Sequence, residues 1–492
     1  MTSSRWVLTL LCAWLYVAAT ITSQVVTRDV NDSLLLVVGD VTSSSARILF
    51  DQVPSSATIM HVKVYQTMAT TQDALADSTA NQVLDLPLSN AKDVPQVIML
   101  QHLEPGCRYV VRFEVDELNE TAAVMFHTAR VDSDGKAWTD RILVVSCDRF
   151  VDDHDDVLME RIAGDVEAHD DALGSSSVHF GMAHLGDQIY ADAGELSIKV
   201  VPFPLKEMKD TKKRRARYDA LLDQFRGIYR KTFGRKAAQR VLRVGAHWML
   251  PDDHEIINNF NFELVQKAFH DVQSPLVSDT KRERFVALQL HCRAGLQAYY
   301  EFQYQLYHDF PWGSIDFLED AIGEVVRAYP LYFAVELQHL KLLFLDVRFE
   351  RSFFHSQEND LSKLVSDEQR QFLDGKLNEW NEEDKSTAIV FSSMPLFFQS
   401  ALSAAIAHIV EHETYPGMAE QRSGLEDLFR VFQGYNQQKR LQSNDELPPL
   451  LTPVFEMVYS WVRYIPLFSS LLPHSSPWNI EYDRVFLGRN YG

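Results

Sequence analysis

Residues 178–192 read VHFGMAHLGDQIYAD, an apolar run that breaks off into Asp187, Tyr190 and Asp192. A short apolar run closed by Gly and Asp is the pattern of a buried strand, with oxygen donors delivered just past its carboxyl end. The chain repeats this arrangement three times. RILVVSCD at 141–148 delivers Cys147 and Asp148. VGAHWMLPDDHEIINN at 244–259 delivers Asp252, Asp253, His254, Glu255, Asn258 and Asn259. LKLLFLDVRFER at 340–351 delivers Asp346, Arg348 and Arg351. A polar helical stretch (157–168) separates the first two runs, and long helical stretches are expected at about 206–234 and 261–310. Strands alternating with helices specify an α/β core. LYFAVEL and LKLLFLD are close enough to form a tight antiparallel pair, which makes the sheet mixed. Ser366 with Gln369 three residues on is a capping box opening a further helix.

Each of these loops has an ordinary reading by itself. Gly-Asp after a strand is commonly a turn, a lone cysteine a small buried hydrophobe, and an arginine near acids a salt bridge. Together they demand more. Loops at the carboxyl ends of strands are where α/β proteins gather functional groups. Carboxylates, an amide, a phenol and a thiol on one sheet edge would repel or go unsatisfied unless cations held them. A carboxylate such as Asp187 can bridge two cations, and a pair of cations can grip a phosphoryl group. The thiol and phenol favour iron, whereas oxygen-only neighbours suit calcium or magnesium.

Residues 24–130 read differently. SLLLVVGD, SARILFDQV, IMHVKVYQT, PQVIML, CRYVVRFEVDE and AAVMFHTAR are short runs rich in β-branched and aromatic residues, with turn residues between them. Met60, Val62 and Val64 alternate with polar neighbours. Leu103, Pro105–Gly106 and Tyr109 suit a corner at which a tyrosine ties the turn to the next strand, as in fibronectin-III and immunoglobulin-like sandwiches. An all-β sandwich without chemistry of its own is expected here, ahead of a core spanning 131–492.

The ends and composition bound the setting. Residues 1–23 have the layout of a secretory signal peptide, with an apolar run from Trp6 to Ile21 and small polar residues after it. The expected protein is therefore secreted, or located in the secretory lumen or at the cell surface, with Asn31 and Asn119 as glycan acceptors. A formal net charge of −21 argues against nucleic acid as the main partner. The basic run Lys212–Arg217 is the solvated start of a helix, with a basic rim for an anionic substrate as the alternative. Beyond the leader only Cys107, Cys147 and Cys292 remain, too few for a disulfide framework. The apolar stretch Phe455–Pro473 holds Glu456, Arg463 and two prolines, so a partly buried helix and loop is expected rather than a stable membrane span.

In this order, SC, GDQIY, DDHEIINN and LDVRFER after a β-sandwich resemble the PhoD-like alkaline phosphatases of the calcineurin-like metallophosphatase superfamily. That resemblance implies a layered α/β sandwich and hydrolysis of phosphate mono- or diesters by a metal-bound hydroxide. It implies that Cys147, Asp187 and Tyr190 bind an iron-type ion, and that Asp253 or Asn258 helps to hold a second cation, calcium or another divalent metal. By the same resemblance His254 protonates the leaving oxygen and Arg348 lies near the substrate. The family closes its metal centre with a late Gly-Asp-x-His, and this sequence has none. Gly-Asp occurs only at Gly39, Gly164 and Gly186, and AGDVEAHD at 163–170 falls in a helical stretch. Between Arg440 and Pro448, where the motif is expected, no apolar strand intervenes. Two expectations follow: a chain lacking an internal piece and its true end, or a non-catalytic binding protein on the same fold. A minor rival is HIVEH at His408–His412, the H-x-x-E-H pattern of a zinc peptidase, with no third ligand in view.

Overall fold

The computed structural model describes residues 34–53, 59–67, 82–87, 94–115, 122–131, 141–150, 156–173, 180–258, 260, 278–337, 340–350, 365–382 and 387–393. The first seven strands are β1 (Leu35–Val41), β2 (Ala46–Asp51), β3 (Ile59–Thr67), β4 (Gln82–Pro87), β5 (Gln96–Leu100), β6 (Arg108–Val115) and β7 (Ala122–His127). They form two antiparallel sheets, β1-β2-β5 and β4-β3-β6-β7. Six of these strands stand where the β-branched runs put them. β4 does not, because QVLDLP is short and ends in proline. Met60, Val62 and Val64 are buried while His61 and Lys63 are half-buried, as alternation requires. Tyr109 is buried and its hydroxyl accepts from the Glu104 N–H at 2.8 Å, so the tyrosine does tie the corner.

The α/β part begins with β8 (Arg141–Val145), α1 (Val157–Leu173) and β9 (Phe180–Leu185). It continues with α2 (Leu205–Met208), α3 (Thr211–Phe233), α4 (Lys236–Leu242) and β10 (Ala246–Leu250). α5 (Asp279–Phe302), α6 (Ile322–Ala328), β11 (Phe333–Leu337), β12 (Leu340–Leu345), α7 (Asp367–Glu382) and β13 (Thr387–Ser392) follow. The sheet β10-β9-β8 is entirely parallel, so its three carboxyl ends share one edge. The sheet β11-β12-β13 is mixed, with β11 and β12 antiparallel as the sequence indicated and β12 and β13 parallel. The Gly-Asp at 164–165 lies within α1, away from any strand end.

Asp210 caps α3 by accepting from the Lys212 and Lys213 N–H groups, and the basic run is the helix's first turn. Arg214 and Arg215 pair there with Glu319 and Asp316. The capping box at α7 is half realised: Ser366 Oγ accepts from Gln369 N at 3.0 Å, but the Gln369 side chain turns to Asp346 and Glu350.

One apolar core runs through both parts. Gln239 on α4 works like an extra strand against β1, accepting from Leu36 N at 3.1 Å and donating to Leu36 O at 3.2 Å. Arg230 on α3 grips Asp51 at the end of β2 through two bonds of 2.8 and 3.0 Å. The fully buried Trp248 of β10 donates to Asp40 at 2.9 Å. Among the described residues, no helix is long and apolar enough to cross a membrane. Cys107, Cys147 and Cys292 form no disulfide. Asn31, Asn119, His408–His412, Phe455–Pro473 and the segment searched for Gly-Asp-x-His lie outside the described residues.

Candidate metal centre

The parallel register of β8, β9 and β10 brings three of the four donor loops together. Cys147 N donates to Gly186 O at 3.1 Å and Asp148 N to Asp187 O at 2.9 Å, stitching the first loop onto the second. Cys147 (φ 63°) and Asp187 (φ 56°) both sit in the left-handed region. For a residue bearing a Cβ this costs roughly 1–3 kcal/mol and persists only where the surroundings impose it. Gly186 between strand and donor has φ +92°, and an added Cβ would lie 2.4 Å from Asp252 Cβ. Only glycine lets the second and third loops approach so closely.

Asp187 is the hub. Its Oδ2 accepts from Tyr190 OH at 3.1 Å and lies 3.5 Å from Cys147 Sγ, while its Oδ1 accepts from His254 N at 3.3 Å. Asp187, Asp253 and His254 present ligand atoms all within 4.8 Å of one another. The fourth loop arrives from the other sheet: Arg348 Nε donates to Asp252, and its Nη2 lies 3.6 Å from Asp253 Oδ1. Arg348 therefore pairs with the third loop's carboxylates. Asn258 is exposed; its backbone N–H donates to Asp192, and it lies outside the Asp187–Asp253–His254 group. Asn259 and Arg351 are outside the described residues.

Three residues whose roles the sequence did not disclose hold this arrangement. Glu255, fully buried, accepts from the N–H groups of Asp187, Gln188 and Asp252 at 3.2, 2.7 and 2.8 Å. Asp192 accepts from His254 Nδ1 at 2.7 Å. Arg235, fully buried on its way into α4, clamps Asp148 and Asp156 and lies 4.8 Å from the Phe150 ring. The only signal for Asp192 and Glu255 was their place within donor-rich loops; Arg235 had none.

The electrostatics state what such a cluster lacks. Burial, and then the neighbouring Asp253, raises Asp187 above the usual carboxylate range. Burial pushes Asp252 up to about 7 despite Arg348, and Glu255 up to about 8. The Cys147 thiol and Tyr190 phenol are raised by burial first and the Asp187 charge after it. His254 goes the other way for a base. Burial opposes its charge, but Asp192, Asp253 and Asp187 outweigh that and hold it at about 9. Clustered acids that resist ionisation are stabilised as anions by a multivalent cation. The donor set fits one: the Asp187 and Asp253 carboxylates close together, with a thiol and a phenol beside Asp187.

Compared with known proteins, residues 142–438 match the family model described as PhoD-like phosphatase, more than half of the chain. A solved structure of PhoD is 13% identical, with a TM-score of 0.51, and the match covers 82% of this chain and 69% of that one. It supports the fold alone. A fibronectin-III domain of the human collagen alpha-1(XX) chain is 16% identical over 22% of this chain and 87% of its own, at a TM-score of 0.15. That score carries no argument, and the sandwich rests on its own strand pairing. No curated protein sequence matches.

Proposed function

The chain belongs to the PhoD-like phosphatase family, metal-dependent phosphoester hydrolases, and from that premise we propose that it is an exported phosphoesterase whose centre is built on Asp187. The observation that carries this reading is the convergence of Asp187, Asp253 and His254 within 4.8 Å, with Arg348 paired to the same loop. Cys147, Asp187 and Tyr190 would hold an iron-type ion, and Asp253 would share a second cation, calcium or another divalent metal, with Asp187. Bound cations supply Lewis acidity toward phosphoryl oxygens and lower the pKa of water.

The chain's own residues do the rest. Arg348, positioned by its bond to Asp252, faces the cluster with a guanidinium suited to the equatorial oxygens of a phosphoryl group. His254 is oriented through Nδ1 by Asp192, which leaves Nε2 to give a proton to the departing alkoxide. Asp192 lies outside the Asp187–Asp253–His254 group, so it would continue to hold that ring with a cation on the pair. Glu255 fixes the backbone of both acidic loops. Residues 1–23, read as a signal peptide, support export.

The test is hydrolysis of a generic aryl phosphate with iron and calcium supplied. Activity is expected, with a loss of at least about a thousandfold in Asp187→Asn. Cation binding without hydrolysis would replace this reading with the non-catalytic binding protein that the missing Gly-Asp-x-His suggests.

A further inference from the structure

A cavity of about 620 Å³ opens beside the cluster, between the β8–β9 face and helices α1 and α4. Cys147 and Asp187 form part of its wall, and Met159, Ile162, Met182 and Val241 form an apolar part of it. Besides Cys147, Asp187, Arg149 and the Asp148 and Asp156 that Arg235 pairs, the titratable side chain in its wall is His184. Its Nε2 is 2.9 Å from His247 Nδ1, and His247 Nε2 faces the carbonyls of Val241 and Val244 at 3.1 and 3.2 Å. Facing two carbonyls, His247 Nε2 must carry the proton, so its Nδ1 accepts from His184. The pair is satisfied without charge, and burial lowers both pKa values. The cavity thus joins a polar, charged side, shared with the candidate metal centre, to an apolar side. Its size is that of a small-molecule site.

We propose that this cavity receives the organic group of the phosphate ester, so that the preferred substrates carry a bulky apolar substituent, aryl or long-chain alkyl, rather than a small polyol. The proposal deepens the phosphoesterase reading and rests on it for the word substrate; the cavity's affinity for an apolar body does not. An ester whose phosphoryl group meets Asp187 can lay its substituent against the apolar side of the cavity, and the gain scales with the area removed from water. A polyol would surrender its hydration there without replacement hydrogen bonds.

The test uses the full chain and two readouts. Calorimetry with 1-naphthol should show saturable binding that weakens roughly tenfold or more in Ile162→Trp, which fills the space. Met159→Phe, a smaller filling, should shift binding in the same direction if the tryptophan variant fails to fold. In turnover, kcat/KM for 1-naphthyl phosphate should exceed that for glycerol phosphate by at least about tenfold. Ile162→Trp should erase that preference. Failure of 1-naphthol to bind, or equal binding to wild type and both variants, would overturn the proposal. If neither ester is hydrolysed, the phosphoesterase reading falls and naphthol binding alone decides what the cavity holds.

Discussion

Asp187 makes plain how much a single position can carry. Strand periodicity placed it at a sheet edge, and that edge fixed its neighbours. Cys147, Tyr190, Asp253 and His254 were legible for the same reason, since a residue just past a buried strand has few places to go. Their supports were not. Arg235 reaches Asp148 and Asp156 from across the chain, and no local pattern encodes such a bond. Arg235→Met should leave both carboxylates without their buried partner and destabilise the fold by about 3 kcal/mol, nearer the lower end of the range for a broken buried pair because Asp148 is partly exposed. Chemical denaturation measures it. Gly186→Ala tests the contact between loops. With φ +92° and Asp252 in the way, it should cost about 2 kcal/mol or more and depress metal affinity as well.

Elements were read well where composition was strongly periodic and poorly where it was not. β4 is not legible because six residues ending in proline look like loop. The Ser366 capping box was seen, but its glutamine is drawn away by Asp346 and Glu350, a tertiary preference no four-residue motif contains. The histidine pair joining β9 to β10 gives the element-scale prediction. His247 is held at about 4 and His184 well below 6.5, both by burial. Above pH 6.5 neither the folded nor the unfolded chain protonates them, so they contribute no pH dependence. Between pH 6.5 and 4 the unfolded chain binds protons that the native pair refuses, and stability falls with pH. The slope is up to about 1.4 kcal/mol per pH unit for each histidine. The raised carboxyls Asp252 and Glu255 contribute with the opposite sign in the same range, so the comparison must isolate the pair. Relative to His184→Leu/His247→Leu, wild type should lose ground progressively as pH drops from 6.5 to 4. A gap that does not change with pH would contradict the neutral pair.

On the scale of the whole molecule, the sequence separates a sandwich from an α/β core but says nothing of how they meet. The junction is made by residues distant in sequence: Gln239 on Leu36, Arg230 on Asp51, Trp248 on Asp40. Such pairs obey no local pattern, so no stretch of sequence announces them. Gln239→Ala would strip partners from Leu36 N and O and from Phe233 O, all buried. A loss of about 2–4 kcal/mol is expected, in one transition that coincides by near- and far-ultraviolet circular dichroism, because the two parts share a core. The central claim is that the strand ends of the parallel sheet converge to hold a cation. Its most direct measurement is the metal content of the dialysed full-length protein after loading with iron and calcium, wild type beside Asp187→Asn. At least one tightly held ion per chain, lost in the variant while its far-ultraviolet spectrum is unchanged, is the predicted result. A wild type that retains no metal, or a variant that retains as much, would contradict it.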